Sequence, residues 1–183
     1  MRRALALLSA LALVLAVAAI ANAKSINDPE DTQGKIDIKK ATFSKTKTGK
    51  FKIVVVFFEK VPASGEQGNE YINVWKKKPH AMAGCNCFTK LPYEMQGPQT
   101  GKRDVYKAGS EGTGYKKTGS GTIRRDGNRL IFKFPPKAVG KPTDKLFWRV
   151  TSGYYGNNDE CPTFDDCSDF APNAEGKVVK ETL

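Results

Sequence analysis

Histidine occurs once in the 183 residues, at His80, beside four cysteines, three methionines and two tryptophans. A single imidazole excludes a multi-histidine metal centre. His80 also sits in Lys78-Pro79-His80-Ala81 without the serine or cysteine setting of a nucleophile elbow, so a histidine-dependent hydrolase is excluded too. No stretch shows a long helical period, which removes the crossover helices that parallel sheets require. After residue 23 no apolar run reaches membrane-spanning length. The glycine-rich run from Gly109 to Gly114 is followed by Tyr115, where a phosphate loop needs lysine, and it reads as a hairpin connection.

Hydrophobic residues make up 39% of the chain and aromatics 10%, while mean hydropathy is −0.47. That balance excludes a disordered chain and a multi-span membrane protein. At the N-terminus, Arg2 and Arg3 precede an apolar stretch over 4–20, and Ala21-Asn22-Ala23 fits a small-x-small cleavage pattern. Residues 1–23 are therefore expected to be an export signal, leaving 24–183 as one domain in a secreted or wall-associated protein. The formal net charge is +11, and removing Arg2 and Arg3 leaves the rest strongly basic. An exported basic protein meets wall polymers and acidic polysaccharides far more often than genomic DNA.

Strand periodicity dominates. Residues 51–58 are apolar on both faces and suit a strand buried on each side. Alternation marks further strands at Ile36, Ile38, Ala41 and Phe43, over 71–75 and 85–91, briefly at Val105 and Tyr106, and over 146–150 with Leu146, Trp148 and Val150 inward. Over 122–134, Asp126-Gly127 supplies a hairpin turn that sets Leu130, Phe132 and Phe134 on one face. Segments 63–69, 96–101 and 109–121 read as turns. Seven or eight short strands without helices predict an all-β fold, an antiparallel two-sheet sandwich of immunoglobulin-like or jelly-roll-like form.

Two segments carry a resemblance. Asp28-Pro29-Glu30-Asp31-Thr32-Gln33-Gly34-Lys35-Ile36-Asp37-Ile38 opens the domain, and Phe147-Trp148-Arg149 with Cys167-Ser168-Asp169-Phe170-Ala171-Pro172 stands near its end. Together they resemble a group of exported bacterial β-sandwich domains with no assigned biochemical function. The resemblance spans nearly the whole domain and implies its fold and location. The chain departs from that group in its lysine content and its Cys85-x-Cys87 pair.

Four cysteines in an exported domain are expected to form two disulfides among Cys85, Cys87, Cys161 and Cys167, either locally or crossed between the two pairs. A four-thiolate zinc site is the alternative. Asp159, Asp165, Asp166 and Asp169 supply hard oxygen ligands of the kind Ca²⁺ takes, without EF-hand order. A related grouping joins Asp28 and Asp31 to Asp169, because chain ends often meet on one edge. Trp75, Lys76, Lys77, Lys78, Tyr154 and Tyr155 are candidate ligand-binding residues: Trp75 precedes the lysine run, and Tyr154 and Tyr155 leave the last strand at a sheet end, where an exposed aromatic platform beside Asn and Asp side chains can stack and hydrogen-bond sugars. The expected function is non-catalytic binding by a monomer to an anionic cell-wall polymer or polysaccharide, with no specific nucleic acid and no span after cleavage. The alternative is a small carbohydrate-active enzyme using two carboxylates from Glu59, Glu70, Glu94 and Asp104.

Overall fold

The computed structural model describes residues 23–31, 37–61, 69–82, 88–97, 99–109, 114–153, 168–172 and 177–183. Outside them lie the expected export segment before Ala23, all four cysteines, and Tyr154, Tyr155, Asp159, Asp165 and Asp166. No helix among the described residues is long and apolar enough to cross a membrane.

Eleven strands are described: β1 (Lys24–Asn27), β2 (Ile38–Lys45), β3 (Phe51–Phe57), β4 (Asn69–Trp75), β5 (Tyr93–Gln96), β6 (Gly101–Ala108), β7 (Tyr115–Asp126), β8 (Arg129–Phe134), β9 (Lys145–Gly153), β10 (Ser168–Ala171) and β11 (Val179–Thr182). A 3₁₀ turn, Pro136–Val139, separates β8 from β9. They form one sheet in the order β1-β2-β3-β8-β7-β6-β5-β4-β9-β10, with β11 also on β9 and every pairing antiparallel.

The all-β antiparallel expectation holds. A division into two sheets is not confirmed, because the strands run as one sheet that nearly closes into a barrel. Its two ends approach where the Ile38 N–H of β2 donates to the Asp169 carboxylate of β10, and where Lys24 Nζ of β1 donates to the Lys180 carbonyl of β11 at 3.0 Å. Alternation of apolar residues cannot separate the two architectures, since stacked sheets and a curled one bury the same alternate positions.

Inward side chains follow the pleat. Phe51, Ile53, Val55 and Phe57 of β3 are buried, while Lys52, Val54 and Val56 are only partly covered, so the expected burial on both faces is corrected to one. Leu130, Phe132 and Phe134 share the interior, as do Leu146, Trp148 and Val150. Aromatic rings knit this core, with Phe43 centred 5.3 Å from Phe51 and 6.2 Å from Trp148, and Phe51 6.0 Å from Phe134.

Local geometry departs from expectation at three places. The hairpin loop is Gly127-Asn128, with Asp126 still paired to Arg129; Gly127 takes the positive φ of 61°, and Asn128 Nδ2 donates to the Phe57 carbonyl at 2.7 Å. Of the strand expected over 85–91, residues 85–87 lie outside the described residues, and 88–91 hold only an isolated bridge from Phe88 to Ala81 before the ladder starts at Tyr93. The expected turn over 109–121 is in its second half the beginning of β7, a twelve-residue strand. Its glycines mislead because Gly119 serves close approach, not turning: a side-chain carbon there would fall 2.7 Å from Ala138 Cβ on the 3₁₀ turn.

Gly119→Ala is therefore expected to destabilise the fold by about 1–3 kcal/mol through overpacking, and adding Ala138→Gly should return part of that loss. Urea unfolding of the two single variants and the double variant measures both effects.

Candidate functional site

Two groupings stand out, an acidic one at the junction of the sheet's ends and a basic one at the end of β4. At the acidic junction, β1 ends at Asn27, and the Asp28 N–H continues the ladder by donating to the Lys39 carbonyl at 3.0 Å. Asp37 immediately precedes β2, and its carbonyl accepts from the Phe58 N–H at 3.0 Å. Asp169 lies on β10 opposite Ser152 of β9. Three short backbone anchors thus aim carboxylates from both ends of the chain at one point.

One carboxylate oxygen each from Asp31, Asp37 and Asp169 lies within 4.8 Å of the others. Asp37 is 4% exposed and Asp169 1%, whereas Asp31 opens to solvent. Asp28 is 6% exposed and sits against Asp169. Asp169 is anchored by two backbone donors, Ile38 N–H and its neighbour Phe170 N–H, the latter at 2.6 Å. Asp28 has no backbone donor of that kind: its side chain meets the Asp169 carboxyl, and no other donor reaches its oxygens or Asp37 Oδ1. No described ion pair reaches Asp28, Asp37 or Asp169.

Burial and mutual repulsion raise these carboxyls. Desolvation first, then the Asp169 charge and a side-chain hydrogen bond to Asp169, pushes Asp28 up to about 8. Desolvation and the Asp169 charge, with the Asp31 charge, a side-chain hydrogen bond to Asp169 and more weakly Glu30, push Asp37 up to about 7. Burial also raises Asp169, although the Ile38 and Phe170 N–H groups pull the other way.

This junction answers part of the sequence reading. Asp169 does join an acidic cluster, together with Asp28 and Asp31 as the end-to-end grouping expects, while Asp159, Asp165 and Asp166 lie outside the described residues. Asp37 was missed as a site residue. Its signal is faint: an aspartate one residue before an apolar strand resembles any solvated strand start.

The basic grouping is a cleft of about 690 Å³. Lys76 and Lys77 follow β4, Lys90 precedes β5, Lys107 lies on β6 and Lys116 on β7, with Trp75, Tyr93 and Leu91 between them. None of the described lining residues is acidic. Lys107 and Lys116 are direct cross-strand partners, so two like charges face each other across the ladder. Lys107 Nζ also stands 6.0 Å from the centroid of the Tyr93 ring.

Trp75 is corrected from exposed platform to buried support. It is 3% exposed, its Nε1–H donates to the Lys90 carbonyl at 2.7 Å, and its ring meets Phe88 edge-on at 4.9 Å. Its indole therefore fixes the backbone that carries Lys90. Lys76 and Lys77 line the cleft, whereas Lys78 does not, and Lys90 Nζ donates to its carbonyl at 3.3 Å. Lys90, Lys107 and Lys116 were not singled out. Their convergence depends on strand register, which the spacing of lysines along the chain does not reveal.

Of the carboxylates considered for catalysis, Asp104 is bound to Lys117 at 2.8 Å, and Glu94, raised by burial, stands on β5 opposite Tyr106 and Asn73. Glu59 is not among the described residues lining the cleft.

The raised carboxyls at the junction set a pH profile. Folded, Asp28 and Asp37 hold protons to about 8 and about 7, against 3.8 as the ordinary value, so stability is fully present at low pH and is lost as pH rises through those folded values. With divalent cations chelated, the melting temperature should fall between about pH 5 and 9, and Asp28→Asn should flatten the decline. Thermal melts across that range check it, and a melting temperature rising toward pH 9 would contradict it. Set against known proteins, the chain matches no family model, no curated protein and no solved structure.

Proposed function

We propose that the protein is an exported, non-catalytic binding module that holds an anionic polymer, a cell-wall polymer or acidic polysaccharide, in the lysine cleft beside Trp75. The observation that carries this reading is the direct opposition of Lys107 and Lys116 within a cleft whose described lining includes no carboxylate. Like charges placed opposite on a ladder weaken the free protein, and an anion bridging them removes that cost. Lys76, Lys77 and Lys90 extend the positive field beyond what a single small anion requires. The volume lies within the usual range for ligand clefts of about 300–1,000 Å³.

Export is supported by the charged, apolar and small-residue order of residues 1–23. The carboxylate-based enzyme is disfavoured because acid–base hydrolysis needs two carboxyl groups flanking the bound sugar, and the described walls of the cleft offer lysines instead.

Isothermal titration with polygalacturonate and with neutral dextran provides the test. Polygalacturonate should bind and dextran should not, with affinity falling steeply toward half-molar salt. Replacing Lys107 and Lys116 together by Gln should weaken binding by roughly 30-fold, from about 1 kcal/mol per lysine near an anionic surface. The same double variant should be more stable than the parent by about 0.2–1 kcal/mol, because the opposed charges are gone. Lys47→Gln with Lys50→Gln, in the exposed turn before β3, should leave both properties unchanged. Parent-like affinity in the Lys107/Lys116 variant, or binding indifferent to salt, would overturn the reading.

A further inference from the structure

We propose that Asp28, Asp31, Asp37 and Asp169 form a calcium site that ties the first and last segments of the sheet together. Carboxylate oxygens of Asp31, Asp37 and Asp169 within 4.8 Å of one another match the span across one cation with ligands at about 2.3–2.6 Å.

The independent observation is Asp28. It lies outside that triad, is more than nine-tenths buried, and meets only the Asp169 carboxyl of the same cluster, with no backbone, lysine or arginine donor at either oxygen; Asp37 Oδ1 is buried without such a donor too. Carboxylates removed from water need a partner, and the described lysines and arginines supply no ion pair to Asp28, Asp37 or Asp169.

The donor set decides which cation. All four groups are hard oxygen ligands with no nitrogen or sulfur among them, which favours Ca²⁺ or Mg²⁺ over transition metals. Mg²⁺ demands near-octahedral geometry and keeps several waters, whereas three of these carboxylates are buried; Ca²⁺ tolerates irregular and bidentate carboxylates. Asp31, on the exposed side, gives the ion its entry and leaves room for water to complete the shell. The two oxygens of Asp169 that accept from Ile38 and Phe170 N–H groups keep lone pairs for an ion, so the metal and the backbone anchors coexist.

The consequence is mechanical. Asp28, Asp31 and Asp37 surround the start of β2, and Asp169 belongs to β10, so one ion would join strands at opposite ends of the sheet order. This site is separate from the lysine cleft and stands or falls without it.

The test uses the purified protein, treated with EDTA and titrated with CaCl₂ or MgCl₂ by calorimetry and thermal melting. At a hundredfold excess over its dissociation constant, Ca²⁺ should raise the melting temperature by about 5–10 °C, and Mg²⁺ by less than half as much. Asp31→Asn, at an exposed position, should weaken Ca²⁺ binding at least about tenfold. Asp28→Asn should remove most of the Ca²⁺ response, while melting above the parent in EDTA at about pH 8 because one buried charge is gone. Should Asp28→Asn not fold, Asp31→Asn still decides. Identical melts of folded protein in EDTA and Ca²⁺, with no heat of binding, would overturn the site. A Mg²⁺ response equal to that of Ca²⁺ would overturn the ion assignment, and parent-like affinity in Asp31→Asn would overturn the ligand set.

Discussion

A sheet that curls toward closure leaves two edges whose peptide groups must find partners, and here the contact between them runs through a side chain. The Ile38 N–H donates to the carboxylate of Asp169, 131 residues later in the chain, and β2 is thereby joined to β10. At the other end of the same junction the Lys24 ammonium reaches the Lys180 carbonyl. Edges left open pair with other chains, and closing them is what a barrel achieves. The arrangement carries a cost of its own. Anchoring Asp169 in the interior brings Asp28 and Asp37 beside it, and the three carboxylates repel one another in a medium that screens them poorly.

That cost connects the fold to a cation. A buried group of acids without basic partners is unstable as charge and becomes stable as protons or as metal ligands. The proposed calcium ion resolves the repulsion and tightens the junction in one event. The lysine cleft repeats the logic with the opposite sign. Lys107 and Lys116 are cross-strand partners on β6 and β7, and the proposed anionic guest would offset the repulsion between them.

Much of the interior was legible because burial follows a period of two. The alternation at Leu130, Phe132 and Phe134, and again at Leu146, Trp148 and Val150, needs only the pleat. β1, β10 and β11 were not legible: each is four residues long, and β11 points Glu181 inward beside Val179. β6 was read as two residues because only Val105 of its eight is buried, and its existence rests on pairing with β7. At the sites, Lys76 and Lys77 could be named from their place beside Trp75, while Lys90, Lys107 and Lys116 depended on register. The meeting of Asp28 and Asp31 with Asp169 followed from chain ends sharing an edge. The place of Asp37 did not, since only the closed sheet turns it toward Asp169.

Amide hydrogen exchange at Ile38 tests the central claim most directly, because that single N–H crosses the junction to Asp169. With Ca²⁺ bound, its exchange should slow by about tenfold or more relative to chelated protein, and the Phe170 amide should slow with it, while Phe132 in the distant β8 ladder changes little. Equal exchange at Ile38 with and without Ca²⁺, in protein that stays folded in both conditions, would contradict the view that an ion held by these four carboxylates joins the two ends of the sheet.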